Sequence, residues 1–150
     1  MENLRELYQE VILDHNKNPR NFRRMEDPDG FAHGNNPLCG DQIDVFLSIK
    51  DGLVDDISFD GDGCAICTAS ASMMTLALKG KTEAEAEALF NSFHHALTDD
   101  ADYPADVPLG NKLKVLMGVK DYPVRVKCAT LAWHTFDAAL KKLQGEISTE

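Results

Sequence analysis

Between Leu4 and Asp14 the apolar residues Leu4, Leu7, Tyr8, Val11 and Ile12 return at intervals of three and four, which is the spacing of one face of an amphipathic helix. Asn16–Pro28 has no such period and reads as loop. Two β-rich runs follow, Gln42–Lys50 and Leu53–Asp60, joined by Asp51-Gly52. Asp-Gly suits the positive φ angles of a tight turn, so the runs predict an antiparallel hairpin although their in/out alternation is imperfect. Two strands alone are marginal in water, and a short strand at Gly30–Gly34 supplies a third.

After Gly61 and Gly63 the chain turns to Ala, Ser, Met and Leu, predicting a helix that runs to about Leu78 and stops at Gly80. Met73, Met74 and Leu76–Leu78 read as its core residues. Thr82 and Glu85 have the spacing of a capping box and open a helix through about Phe93. Thr98–Pro108, acidic and broken by prolines, reads as loop, and Leu109–Met117 as a short helix. Tyr122-Pro123 interrupts. Ala129–Leu143 is a final amphipathic helix carrying Leu131, Phe136, Ala139, Leu140 and Leu143, with Trp133 an anchor against the sheet. Helix, antiparallel strands, then helices predicts an α+β fold, a small three-stranded antiparallel sheet covered by helices.

With 150 residues and 43% hydrophobic content, the expectation is one core and one domain over residues 1–150. MENLRELYQE has neither a basic n-region nor an apolar h-region, and no apolar run is long enough for a membrane span. The chain is therefore expected to be soluble and cytoplasmic, with no membrane partner. In a reducing compartment four cysteines read as thiols, metal ligands or catalytic groups before they read as a disulfide framework. A net charge of −10 without a Lys/Arg stripe excludes nucleic acid as a partner. The basic stretch Lys17, Arg20, Arg23 and Arg24 reads either as a dock for an acidic protein surface or as a solvated loop.

The cysteines lie at element ends. Cys39 is in Asn36-Pro37-Leu38-Cys39-Gly40-Asp41, ahead of the hairpin, where a side-chain period of two can point Cys39 and Asp41 the same way. Cys64 follows Gly61-Asp62-Gly63 at a helix start, and Cys128 precedes the last helix. Helix N-termini favour thiolates, so both are expected to have depressed pKa values. Three thiolates and a carboxylate suit tetrahedral Zn²⁺, and the same sulfur set suits iron in a cluster. Spacing alone leaves open that these are ordinary buried cysteines.

Cys67, one turn after Cys64, reads first as core filler; the alternatives are a ligand displacing Asp41 or a disulfide partner for Cys64. Thioredoxin-like use of the pair requires a βαβ context, whereas a hairpin precedes it. None of His15, His33, His94, His95 and His134 is assigned to a metal. His15 is expected to pack or hydrogen-bond locally, and His94 and His95 to complement a helix C-terminus. Arg125, three residues before Cys128, reads as a partner of Asp41, a support for a developing thiolate, or half of a surface ion pair.

Together these stretches resemble the U-type iron-sulfur cluster assembly scaffold family (IscU/SufU). The residues that carry the resemblance are Leu13-Asp14-His15 through Pro19-Arg20-Asn21, Asn36-Pro-Leu-Cys39-Gly-Asp41, Gly61-Asp-Gly-Cys64-Ala-Ile with Ala69-Ser70, and Lys127-Cys128-Ala. They occur in order along essentially the whole chain. The resemblance implies an α+β fold with a three-stranded sheet and a surface site where Cys39, Asp41, Cys64 and Cys128 meet. Lys127 replaces the His of the Isc type, Asp121-Tyr-Pro-Val-Arg-Val replaces its LPPVK-like segment, and the stretch between Cys64 and Cys128 is longer. These departures point to the SufU subtype. That subtype implies a zinc-dependent sulfurtransferase which accepts persulfide sulfur on Cys39 from a pyridoxal-phosphate cysteine desulfurase (SufS-like), with cluster scaffold proteins downstream. The alternative it implies is a scaffold on which an iron-sulfur cluster is built and then donated.

Overall fold

The expected hairpin forms two of the three strands of the sheet. In the computed structural model, which describes residues 2–143 with side chains from Arg5 onward, the order is α1 (Glu2–Lys17), β1 (Gly30–Asn36), β2 (Asp41–Lys50), β3 (Leu53–Asp62), α2 (Ala65–Leu78), α3 (Glu83–Thr98), α4 (Asn111–Lys114), a 3₁₀ turn (Val115–Val119) and α5 (Pro123–Leu143). The Leu4 side chain, part of the expected face of α1, lies outside the described residues. The three strands pair antiparallel in the order β1-β2-β3. Asp51 and Gly52 turn the hairpin with φ of 54° and 77°.

Register decides what the sheet presents. Ala32, Val45 and Phe59 align across the strands, as do Gly30, Leu47 and Ile57, and Gly34 pairs with Ile43. All of the large residues in these rows are buried. The next row in β1 and β2 is Asn36 opposite Asp41, so the strand period carries two polar side chains to the end of the core face. α5 lies across this face. Gly34 is where it comes closest: a Cβ there would overlap Thr135 Oγ1, so only hydrogen fits between strand and helix.

The imperfect alternation of β2 and β3 has two causes. The register shifts at Ser48/Ile49, and Phe46, on the outer face, is buried as well. Phe46 lies against Phe31, ring centroids 5.2 Å apart, and beneath the Arg24 guanidinium at 4.9 Å. Arg23 and Arg24 of the basic stretch are therefore not a free solvated loop. Arg23 pairs with Asp56 at 2.7 Å, and Arg24 with Asp44 and Asp60 at 3.2 Å each. The chain on either side of Phe22 exchanges hydrogen bonds with Phe59 on the outer edge of β3.

The helices beyond the sheet extend further than their sequence signals. α3 carries the expected Thr82/Glu85 capping box but continues past Phe93 to Thr98, ending at Asp99 with φ 57°. The added turn buries His94 and Leu97. α5 begins at Pro123, not Ala129. Proline lacks an N–H and has a fixed φ, both harmless in the first helical turn, so Tyr122-Pro123 opens the helix instead of interrupting it. The short helix after Leu109 is divided into α4 and the 3₁₀ turn.

Three packing expectations also change. Leu76 is 50% exposed although Met73, Met74 and Leu78 are core. Trp133 is fully buried but anchors against helices: it stacks on Phe93 of α3, centroids 4.3 Å apart, and donates Nε1–H to Ser70 Oγ of α2 at 3.1 Å. His15 bonds across the fold, its Nδ1 2.7 Å from Ser72 Oγ of α2.

Candidate metal centre

Cys39, Asp41 and Cys128 come together at one end of the core face, and Cys64 lies beside Asp41. Asn36 forms the turn before β2. Its carbonyl accepts the N–H groups of Cys39 at 3.2 Å and Gly40 at 2.8 Å, and its side-chain oxygen accepts Leu38 N–H at 3.2 Å. An Asn that folds the chain back on itself in this way is a turn former, and it leaves Cys39 exposed at the tip. Asp41, the first residue of β2, is only 1% exposed. Cys39, Asp41 and Cys128 each offer a donor atom, all within 4.8 Å of one another.

Cys64 reaches the group through Asp41. It is the N-cap of α2; its N–H donates to Asp41 Oδ1 at 2.8 Å and its Sγ lies 3.9 Å from Oδ2. A helix start is the expected place for it. Cys128 is not at a helix start, because α5 begins at Pro123 and puts Cys128 within its second turn, buried. The depressed pKa expected of Cys128 is accordingly overturned. Burial first, then hydrogen bonding with Cys39, Cys64 and Asp41, pushes this thiol well above the ordinary range. Its Sγ is 3.4 Å from Cys39 Sγ and 3.9 Å from Asn36 Nδ2.

Donors from Cys39, Asp41 and Cys128 within 4.8 Å of one another are compact enough to share one cation. Around zinc, with Zn–S bonds of about 2.3 Å, sulfurs lie about 3.8 Å apart, so the 3.4 Å Cys39–Cys128 pair would open and Cys64, now 3.9 Å from Asp41, would close in. Thiols crowded against a carboxylate resist losing protons in each other's company, and a divalent cation among them reverses that preference.

Cys67 is the core filler expected. It is 1% exposed, and its thiol is pushed up to about 12 by burial, then by Asp41, Cys64 and Cys39. Its N–H donates to Cys64 Sγ at 3.4 Å. The Arg125 guanidinium lies 4.7 Å above the Tyr122 ring, and among the described residues no ion pair joins it to Asp41. Among the described residues no histidine joins the Cys39, Asp41 and Cys128 group. His33 pairs with Asp44 at 2.6 Å, and His94 is held near 4 by burial and by neighbouring His134, so it is neutral and does not serve the helix dipole as a cation. Lys127 lines, with Asn36, Pro37, His94 and His134, a cleft of about 610 Å³ beside the Cys39 turn.

Residues 7–149 match the model of the NifU-like N-terminal domain. The chain belongs to that family. It is 39% identical over 143 residues to the zinc-dependent sulfurtransferase SufU of Bacillus subtilis (strain 168), covering 95% of each chain. It is 39% identical over 139 residues to the iron-sulfur cluster assembly scaffold protein IscU of Streptococcus pyogenes serotype M1, covering 93% of this chain and 86% of that one. A crystal structure of a putative iron-sulfur cluster assembly scaffold protein for the SUF system from Fervidobacterium islandicum AW-1 superposes with a TM-score of 0.80 at 30% identity, over 88% of this chain and 95% of that one. The NifU-like assignment agrees with the α+β fold and the U-type resemblance of the sequence motifs. Two residues of this NifU-like domain hold the site together without having been read as parts of it. Asn36 was visible as a turn former in the Cys39 motif. Gly63 was visible only as a helix-start glycine, and its reason is steric: a Cβ there would lie 2.9 Å from Cys67 Sγ and 3.4 Å from Asp41 Oδ1. Among the described residues no helix is long and apolar enough to cross a membrane.

Proposed function

We propose that the protein is a zinc-dependent sulfurtransferase that accepts persulfide sulfur from a pyridoxal-phosphate cysteine desulfurase of SufS type for iron-sulfur cluster assembly. The observation that carries this reading is the meeting of Cys39, Asp41 and Cys128 donor atoms within 4.8 Å, with Cys64 3.9 Å from Asp41. The 39% identity to a protein named zinc-dependent sulfurtransferase SufU supports it. Cys39, Asp41, Cys64 and Cys128 would hold Zn²⁺, which when bound keeps the thiols deprotonated.

The chain's own contributions follow from placement. Cys128 is fixed by a helix interior and Cys64 by an N-cap, whereas Cys39 is exposed on a turn ahead of Gly40. Cys39 is thus the thiol free to move toward a partner. Its thiolate attacks the outer sulfur of the desulfurase persulfide; that S–S bond breaks, the desulfurase thiolate leaves, and Cys39 carries the persulfide. Downstream scaffold proteins then receive the sulfur. The equal identity to a protein named IscU favours a second reading, in which the same sulfur ligands carry a cluster for donation.

The deciding experiment is metal and cluster analysis after anaerobic purification, followed by incubation with a cysteine desulfurase and cysteine. Zinc, no visible absorbance, and added sulfur on Cys39 in peptide mass spectra are expected. Cys39→Ser should abolish stimulation of the desulfurase. A coloured, iron-bearing protein establishes the scaffold reading instead, and sulfur found on Cys64 or Cys128 with Cys39 unmodified refutes the acceptor assignment.

A further inference from the structure

Cys67 has no place in that ligand set, yet the fold prepares it for chemistry. Cys64 caps α2, and Cys67 is the third residue of the helix, its N–H donating to Cys64 Sγ at 3.4 Å. Residues three apart in the first turn face the same side, with α-carbons roughly 5–6 Å apart, inside the span of a disulfide. The Cys67 sulfur is also turned back toward the chain entering the helix, because it lies 2.9 Å from the position a Gly63 Cβ would take. Access differs between the two. Cys64 is half-buried, whereas Cys67 is 1% exposed, so an oxidant from solvent meets Cys64 first. With Cys39, Cys64 and Cys128 engaged by a metal, Cys67 is the remaining thiol close enough to respond.

We propose that Cys64 and Cys67 form a dithiol–disulfide couple, in which a hydroperoxide oxidises Cys64 and Cys67 closes a disulfide that withdraws Cys64 from the metal. The Cys64 thiolate attacks the peroxide oxygen; the O–O bond breaks, leaving a sulfenic acid on Cys64 and an alcohol, or water from hydrogen peroxide. Cys67 sulfur then attacks Cys64 sulfur. The S–O bond breaks, the S–S bond forms, and the hydroxyl leaves as water with the Cys67 proton. Two thiols have lost two electrons and two protons to one peroxide, and a dithiol reverses the result by exchange. Without Cys67 a sulfenic acid is exposed to further oxidation to sulfinic acid, which dithiols do not reverse.

The couple stands on the geometry of the helix start; only the loss of metal rests on the zinc-site reading. The test treats zinc-loaded protein and chelator-treated, reduced protein with hydrogen peroxide, alkylates the remaining thiols and maps disulfides by peptide mass spectrometry. Zinc release is followed with a chromogenic chelator. A disulfide joining Cys64 and Cys67 is expected in both forms, with zinc leaving as it appears and dithiothreitol restoring thiols and zinc binding. In Cys67→Ser, Cys64 should proceed to sulfinic acid and dithiothreitol should restore neither. A disulfide joining Cys39 and Cys128, whose sulfurs are 3.4 Å apart, with Cys64 and Cys67 still alkylated, overturns the proposal. So does a Cys67→Ser protein that oxidises and recovers as the parent does. A Cys64–Cys67 disulfide with zinc retained supports the couple and removes Cys64 from the ligand set, which separates the two readings.

Discussion

At the scale of single residues, the site is shaped as much by a missing side chain as by its thiols. Gly63 has no left-handed φ to accommodate, so its requirement is room alone: a Cβ would meet Cys67 Sγ at 2.9 Å and Cys67 Cβ at 3.0 Å. Gly63→Ala should cost about 1–3 kcal/mol, the usual penalty of overpacking. Cys67→Ala in the same chain should recover part of that loss. Urea denaturation of the four proteins, metal-free and reduced, gives the coupling, and strict additivity would show that Cys67 is not the obstacle. His94 makes a second residue-scale claim. Its ring is stacked on Tyr103, centroids 3.7 Å apart, and burial first, then His134, holds it near 4, with Asp100 opposing. The folded value lies below the ordinary one, so the unfolded chain takes up the proton first. The associated stability is complete above about pH 6.5 and is lost as the pH falls from there to about 4. Between pH 7.5 and pH 5 the parent should lose on the order of 1–2 kcal/mol more than His94→Phe; parallel stability curves would place this ring in solvent.

At the scale of elements, local signals and cooperative ones part company. The Asp51-Gly52 turn and the Thr82/Glu85 box were legible in the sequence because each is decided within a few residues: φ at the turn, and two reciprocal bonds of 2.9 and 3.0 Å at the cap. Thr82→Ala should therefore cost about 0.5–2 kcal/mol, read as a shift in the urea midpoint with an unchanged slope. A changed slope would mean that α3 had ceased to fold with the rest. The start of α5 was not legible, since Pro123 punctuates a helix or opens one depending on what the first turn packs against. The consequence reached the site: Cys128 is held inside a helix, not at its charged end. Leu76 and Trp133 were misplaced for a related reason. Periodicity gives a face to each helix but not the identity of the neighbour, and the α2 and α5 faces are divided among the sheet, α1 and α3. The meeting of Cys39, Asp41 and Cys128, with Cys64 beside Asp41, was legible only through the ordered motifs, because their convergence depends on a register that places Asn36 opposite Asp41 at the end of the core rows.

At the scale of the whole molecule, a chain of net charge −10 uses its arginines to hold its own acidic sheet. Asn21 and Arg23 exchange backbone bonds with Phe59 at 3.0 and 2.9 Å, the Phe22 ring meets Phe59 at 5.2 Å, and Asn21 Nδ2 reaches Thr75 Oγ1 of α2 at 2.9 Å. This arm covers part of an edge that would otherwise offer unpaired backbone to a second strand. Its ion pairs are solvent-exposed, Arg24 at 60% of its side chain, so each contributes little on its own. Removing Arg24 should therefore scarcely change global stability, within about 1 kcal/mol for Arg24→Ala. Reversing it is a different matter. A glutamate there would face Asp44 and Asp60, which now lie 3.2 Å from the Arg24 guanidinium, and the repulsion would act on the arm before it acted on the core. Arg24→Glu should accelerate hydrogen exchange at the Phe59 amide, whose acceptor is Asn21 on the arm, while amides in the buried middle of α5 keep the exchange rate of the parent. High salt should slow the Phe59 amide again by screening the repulsion. Uniform acceleration across β3 and α5 would show that the arm is part of the cooperative core, not a strap held on by charge.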